Sequence, residues 1–336
     1  PCSSVCSLRL DYWRDRCLPD TVQAGTAEFY RDLIKYIPEK MRKKKLSSIT
    51  PAMIQGMLSD LLVSGRIKAP GGLSVTTVRS VRSTLATVFE AAVDNGFVAK
   101  NVVKKTKPPV AANRKEIVYL TQDEIKRLLR VADSGEYYDM YPLVLEDDGI
   151  VYLIKCYAMA VRLTLATGMR WGECFGLCWS DIDFADGTVY VHNNLQDQRM
   201  KRPKTSYSIR HISVDADTMR RLREWRQQQR EYAKSVGDIY SNKLGLLFTS
   251  IAGTPVRYDN FRGRQWANMV RVAQLPDKCT YHCMRHTHAT QLLRAGINVK
   301  VISQRLGHSS VAFTLRVYAH VMPDMDRTAA DAMAGL

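Results

Sequence analysis

At 336 residues, 46% hydrophobic and 24% charged, the chain has the make-up of a folded protein and the length of about two domains. Its 49 lysines and arginines against 33 acids leave a formal charge of +16, which favours a polyanionic partner because each phosphate neutralised by Lys or Arg releases counterions. The start, Pro1-Cys2-Ser3-Ser4-Val5, lacks a basic region followed by an apolar run, and the longest apolar stretch, Ile150 to Leu165, is broken by Lys155 and Arg162; neither a secretory leader nor a membrane span is expected, and the protein reads as cytoplasmic.

Residues 1–98 read as a helical domain. Leu8, Tyr12 and Trp13 make an early amphipathic turn, and Thr21 to Ile37 carries Phe29, Leu33 and Tyr36 at helical spacing. Thr50-Pro51 pairs a cap residue with proline at the first helical position, and Ile54, Met57, Leu58, Leu61 and Leu62 fill one face. After Pro70-Gly71-Gly72, Ser74 caps a helix that presents Val78, Val81, Leu85, Val88, Phe89 and Ala92 inward, and Asn95-Gly96 stops it. The basic side chains Arg42, Lys43, Lys44, Lys45, Arg79 and Arg82 are candidates to track a nucleic-acid backbone.

Residues 99–118 read as a basic linker. Lys100, Lys104, Lys105, Lys107, Arg114 and Lys115 face a single acid, Glu116, and Pro108-Pro109 stiffens the segment, a composition suited to a strap around a duplex. Residues 119–336 form a second, larger domain. Thr121-Gln122-Asp123-Glu124 before Ile125, Leu128 and Leu129 is a helix start. Gly187 to Val191 and Ser208 to Val214 alternate as strands do, with Gln196 to Thr205 as the turn region between them, and the rest is mostly helix. The acidic, tyrosine-containing stretch Gly135 to Asp148 reads as an insertion loop. The fold class expected is therefore mainly α with a small β-sheet: a helical domain followed by an α+β domain.

The chemistry-bearing residues lie in the second domain. Gly168 ends one helix, and Arg170 opens the next with Glu173 on the same face; an arginine fixed by a carboxylate is a rigid fork for two phosphate oxygens. Thr280 is placed to cap a helix whose first turn holds His282 and Arg285 beside free backbone N–H groups. Lys204 occupies the hairpin region, where an ammonium lowered in pKa by neighbouring cations is suited to protonating a departing alkoxide. Gly307 closes a further helix, Ser309 or Ser310 caps the next, and Tyr318 lies about two turns into it, ten residues after His308. A phenol has a pKa near 10, so an attacking tyrosine needs a strongly positive site. Of the eight cysteines, Cys174 and Cys178, and Cys279 and Cys283, are each four apart, but no second ligand pair accompanies them; free thiols and no metal are expected.

The order Arg170, Lys204, His282-x-x-Arg285, Leu306-Gly307-His308 and Tyr318 resembles the tyrosine recombinases, also called the phage integrase family, most of all the integrases of conjugative transposons and temperate phages. Thr167 to Glu173 with Leu177 and Trp179 to Asp183 is similar to that family's first motif box, and His282 to Thr290 with Leu306 to Tyr318 is similar to its second. The first lobe looks like the core-binding domain, so the resemblance spans nearly the whole chain. It implies a helical core-binding domain plus an α+β catalytic domain in which Tyr318 forms a 3′-phosphotyrosine and frees a 5′-hydroxyl. In that scheme Arg170 and Arg285 clamp the scissile phosphate, Lys204 is the general acid, His282 and His308 assist, and Glu173 supports the site. It further implies no cofactor, double-stranded DNA as substrate, a homo-tetramer joined by exchange of the tail Arg327 to Leu336, and an accessory or excision factor. The sequence begins without methionine, where such integrases often carry an amino-terminal arm-binding domain, so a longer natural chain is expected. Cys283-Met284 stands where relatives often have an acid and leucine. Rival readings are a chromosome-dimer resolvase of the same family, a type IB topoisomerase, and a DNA-binding protein with a decayed site.

Overall fold

In a computed structural model of the protein, the described residues are 10, 13, 22, 24–67, 69–110, 117–138, 146–203, 205–318 and 333–334. The chain divides into two compact units, Pro1–Lys115 and Glu116–Leu336.

Among its described residues the first unit carries the helices α1 (Ala24–Ile34), α2 (Glu39–Arg42), α3 (Pro51–Ser64) and α4 (Val75–Asp94). The Thr50 hydroxyl accepts from Met53 N and Ser74 from Thr77 N, each satisfying one of the N–H groups that a helix start leaves open. The apolar faces of α3 and α4 bury Ile54, Met57, Leu58 and Leu61 against Val78, Val81, Leu85, Val88, Phe89 and Ala92. Two expected core residues sit outside it: Phe29 is 51% exposed because α1 turns Ala27, Leu33 and Ile34 inward instead, and Leu62 is 36% exposed at the edge of the α3 face that buries Leu58 and Leu61.

The 99–118 segment is not a connector along its whole length. Val102–Lys105 forms a 3-10 turn whose Val103 is fully buried among the helices, a burial that contributes roughly 1.5 kcal/mol or more. Asn101 donates to Ala86 O and to Glu90 Oε2, and its carbonyl oxygen accepts from Val103 N. The Arg82 guanidinium donates to Thr106 Oγ1, Thr106 O and Val103 O, and Arg79 donates to Pro109 O at 2.6 Å. Arg79 and Arg82, two of the three arginines placed on the backbone-tracking surface, thus hold the 102–109 segment in place. Lys43, Lys44, Lys45, Lys100, Lys104, Lys105 and Lys107 remain exposed, Lys104 against Glu90 at 2.9 Å and Lys43 against Glu39 at 2.5 Å. Arg114 and Lys115 lie outside the described residues.

The second unit begins with α5 (Gln122–Ser134) and α6 (Asp148–Thr167). Thr121 and Glu124 form a reciprocal capping box at the start of α5, and Gly135 ends it in the left-handed region. Tyr137, in the expected insertion, is fully buried, and the exposed Asp147 caps α6 through Ile150 N; the first end of that stretch belongs to the core, and residues 139–145 lie outside the described set. Then follow α7 (Trp171–Phe175), strands β1 (Ile182–Asp183), β2 (Thr188–Val191), β3 (Asn194–Gln196), β4 (Arg199–Lys201) and β5 (Arg210–Ser213), and helices α8 (Ala216–Val236), α9 (Tyr258–Asn260), α10 (Ala267–Val272), α11 (Cys283–Arg294), α12 (Val299–Leu306) and α13 (Val311–Tyr318). A π-helical segment, Phe261–Trp266, joins α9 to α10. An antiparallel sheet runs β1-β2-β5, with Val189 opposite Ile212. The expected turn region contains a hairpin of its own: β3 pairs β4, and Asp197 and Gln198 at φ 52° and 59° make the tight turn between them.

Helix α6 is long and apolar enough, by length and composition, to cross a membrane, yet 56% of its most apolar window is buried inside the fold. It is the central core helix, packed against α5, α8 and α11, so its continuous apolarity reflects burial on several sides.

Candidate active site

The site forms where the C-terminal end of α6, the start of α7 and the ends of α11, α12 and α13 converge. Gly168 caps α6 at φ +67°, and a Cβ there would fall 2.7 Å from both His288 Cδ2 and Leu306 Cδ2; the close approach requires glycine. Arg170 stands at the N-cap of α7. Its backbone N–H donates to Glu173 Oε2 and its Nη1 to Glu173 Oε1, both at 2.9 Å. The same carboxylate receives Arg210 Nη2 at 3.0 Å from β5, in an ion pair whose side chains are 4% and 7% exposed. Arg210 also donates to Arg305 O at 2.7 Å and to Ser208 O at 2.8 Å. One acid therefore ties the α7 start to the strand that follows the Lys204 segment, and that strand to the end of α12.

Arg285, in the first turn of α11, is 2% exposed. Its Nη1 donates to Gly168 O at 2.9 Å and its Nη2 to Leu306 O at 2.7 Å, which leaves further N–H groups of the guanidinium for an anion. Helix α11 starts at Cys283, with His282 at the N-cap and Thr280 offering its carbonyl to Cys283 N, so the expected Thr280 side-chain cap is replaced by a backbone turn. Cys279 and Cys283 are paired as a disulfide across this turn, contrary to the expectation of free thiols; the four-residue spacing within one turn brings them together. Cys156 and Cys174 are free and buried, and Cys178 is free and partly buried. Gly307 closes α12 in the left-handed region, Ser310 Oγ accepts from Phe313 N, and His308 Nδ1 lies 2.7 Å from Thr314 Oγ1.

Tyr318, the last residue of α13, is 1% exposed and packs with Ala289, Leu293, Ile302 and Leu306. Its hydroxyl lies 2.9 Å from His286 Nδ1, and the His286 ring meets His282 edge to face at 4.8 Å. Sequence reading passed over two residues here, His286 and Arg210. The apolar i+3 and i+7 positions after His286, Ala289 and Leu293, marked the face on which it lies. Arg210 gave no signal, because a lone arginine in a short strand is usually a surface charge. Lys204 lies outside the described residues.

The electrostatics are those of an anion pocket. Burial alone would raise the Glu173 carboxyl, but Arg210 and then Arg170 outweigh it and hold it at about 2. Burial, with Arg170 nearby, brings Arg285 down to about 9, which leaves it charged at neutral pH. Desolvation followed by the neighbouring cations holds His282 and His286 at about 4 and His308 at about 3, so all three are neutral at pH 7; the His282 ring is nonetheless open to solvent, and its neighbours His286, Arg285 and Arg170 contribute to the shift. Burial pushes the Tyr318 phenol up to about 12 against the opposing pull of Arg285 and Arg170. A cleft of about 620 Å³, lined among others by Arg170, Trp171, Asn194, Arg257, Tyr258 and His282, opens beside the pocket. Such a pocket stabilises the charge that develops on a phosphoryl group under attack.

Residues 118–325 match the phage integrase family profile. The chain is 28% identical over 91% of its length to a XerC-like tyrosine recombinase of Caldanaerobacter subterraneus subsp. tengcongensis, covering 76% of that protein. It is 26% identical over 90% of its length to the ICEBs1 integrase of Bacillus subtilis, covering 75% of that protein. Among solved structures, the Tn1549 transposon integrase in complex with a circular intermediate DNA superposes with a TM-score of 0.75 at 20% identity, over 97% of this chain and 100% of that one, a likeness of fold. With a profile match over more than half its length and a site assembled from both motif boxes, the chain belongs to the phage integrase family, the tyrosine recombinases.

Proposed function

We propose that this protein is a site-specific DNA recombinase that cleaves and rejoins strands through a 3′-phosphotyrosyl intermediate, integrating and excising a mobile element. The observation that carries the reading is that Tyr318 packs on α11 and Leu306, its hydroxyl 2.9 Å from His286 Nδ1, next in sequence to the Arg285 that bonds Gly168 O and Leu306 O. In this scheme Arg170 and Arg285 grip the non-bridging oxygens of the scissile phosphate, and Glu173 holds the first of them. Tyr318 attacks phosphorus, and Lys204 protonates the departing 5′-oxygen. His308 and His282, neutral at pH 7, donate hydrogen bonds to the transition state. The diester energy is kept in the phosphotyrosine, so the freed 5′-hydroxyl of a partner strand reverses the step.

The partner is double-stranded DNA, contacted along its backbone by Lys43, Lys44, Lys45, Lys100, Lys104, Lys105, Lys107, Arg114 and Lys115. The working form is a cytoplasmic homo-tetramer on paired duplexes, joined by exchange of the tail, with an accessory factor setting direction. Similarity to a XerC-like recombinase supports resolution of chromosome dimers as a second reading; recombination of element ends with unrelated targets separates the two.

A nicked suicide substrate tests the chemistry. The protein is expected to accumulate a covalent DNA adduct, and Tyr318→Phe to bind the same DNA without forming it. An adduct in Tyr318→Phe would remove Tyr318 from the reaction.

A further inference from the structure

Attack by a tyrosine on phosphorus requires the phenolic proton to go somewhere, and the scheme above assigns an acid to the leaving group but no base to the nucleophile. Among the described residues, the hydrogen-bond partner of Tyr318 Oη is His286 Nδ1, at 2.9 Å. The contact follows from the way the two helices pack. His286, Ala289 and Leu293 recur at i, i+3 and i+7 on α11, and Ala289 and Leu293 form the apolar bed on which the Tyr318 ring rests. One helical face thus both seats the ring and meets its hydroxyl.

The other candidates are placed differently. His308 Nδ1 is engaged with Thr314 Oγ1 at 2.7 Å, Arg285 has no acceptor to offer, and His282 meets His286 through its ring.

We infer that His286 is a catalytic residue, the general base that takes the proton of Tyr318 during strand cleavage and returns it during religation. The inference rests on Tyr318 being the nucleophile. In cleavage the Oη–P bond forms as the P–O5′ bond breaks. The phenolic proton passes to His286 Nδ1, giving an imidazolium, while the electron pair leaves with O5′, which takes its proton from the separate acid. In religation the O5′–P bond forms as the P–Oη bond breaks: the 5′-hydroxyl returns its proton to the separate acid, now in its deprotonated form, and the imidazolium protonates the departing phenolate. Burial and the adjacent Arg285 keep the His286 ring neutral beforehand, down at about 4, so its lone pair is free to accept.

Single-turnover adduct formation on the nicked substrate tests this. His286→Ala is expected to bind DNA as the unaltered protein does and to form adduct about 100-fold or more slowly, and free imidazole in the buffer should restore part of the rate in proportion to its unprotonated concentration. His286→Asn sets a hydrogen-bonding group near the Nδ1 position without a base, and should stay as slow as His286→Ala. Asn at the unaltered rate, or a DNA-binding Ala variant that is slow and indifferent to imidazole, overturns the inference. Should His286→Ala not bind DNA, the Asn variant decides alone: slow with normal binding supports the base, and fast removes it. Tyr318→Phe run alongside keeps the two claims apart, since an adduct there sinks the nucleophile itself, whereas an inert Tyr318→Phe with a fast His286→Asn sinks the base alone.

Discussion

Glu173 is one carboxylate shared by two arginines, and it is buried with one of them. Its ionised form is favoured because Arg210 and Arg170 outweigh the cost of burial. Removing the charge strands the Arg210 guanidinium in a site where its side chain is 7% exposed. Glu173→Gln is therefore expected to destabilise the second unit by about 3 kcal/mol in urea unfolding and to slow adduct formation, since Arg170 loses its anchor; unchanged stability would mean that Arg210 finds another anion. The pH dependence follows from the same groups. A carboxylate held at about 2 contributes stability above its unfolded value near 4.5, lost as pH falls toward 2. Histidines held at about 4, and His308 at about 3, favour the neutral form when folded, while the unfolded chain takes up protons near 6.5. The unfolded state binds more protons between about 4 and 6.5, so stability rises with pH through that window and is lost as pH drops through it. Calorimetry should show a lower Tm at pH 5 than at pH 7, with a smaller drop in His308→Asn; a Tm flat over that range would contradict the desolvation of these rings. At this scale Arg170, His282, Arg285 and His308 stood out in the sequence because each sits at a helix boundary with its own turn signal. His286 was hidden because its role depends on α13 folding back on α11, a contact between residues 32 apart that no local periodicity encodes.

Helix ends, more than helix bodies, build the pocket. The C-cap of α6, the N-cap of α7, the first turn of α11 and the last of α12 meet where Arg285 bonds the Gly168 and Leu306 carbonyls, which satisfies helix-terminal acceptors that would otherwise be open. Gly168→Ala is thus a probe of the whole junction. Its left-handed φ and the 2.7 Å approach of His288 and Leu306 predict a loss of more than about 1 kcal/mol, with slower cleavage because Arg285 shifts with its acceptor. Equal stability, measured by thermal unfolding, would show that the junction yields freely. Caps and apolar faces were legible in α3, α4 and α5, where a cap residue precedes a regular stripe; the Asp147 cap of α6 fell within the stretch read as an insertion loop. The basic segment after α4 was misread because its composition is that of a linker; one apolar residue, Val103, and three Arg82 bonds outweigh that composition. The β3–β4 hairpin escaped because three-residue strands leave too short an alternation to recognise.

For the molecule as a whole, the +16 charge becomes informative once the cations that serve the fold are set aside. Arg82 is spent on the 102–106 turn, Arg210 on Glu173, and Arg305 on the Ala166 and Ser213 carbonyls. Lys43, Lys44 and Lys45 follow one another on an exposed turn, where among the described residues Glu39 pairs with the first, and Lys100, Lys105 and Lys107 are exposed as well. If this second set neutralises phosphates, each member releases a counterion, and the slope of log K against log salt should flatten by about 0.9 for each contact removed. Lys43→Gln, Lys44→Gln and Lys45→Gln combined are accordingly expected to weaken binding to specific and unrelated duplexes alike and to flatten the slope, with Tm unchanged. Arg82→Gln is expected to do the reverse, lowering the Tm of the first unit while leaving the slope in place. Binding titrations from low to moderate salt distinguish the two groups of cations, and a slope reduced by Arg82→Gln but not by the triple lysine variant would invert the assignment of which charges hold the protein together and which hold the DNA.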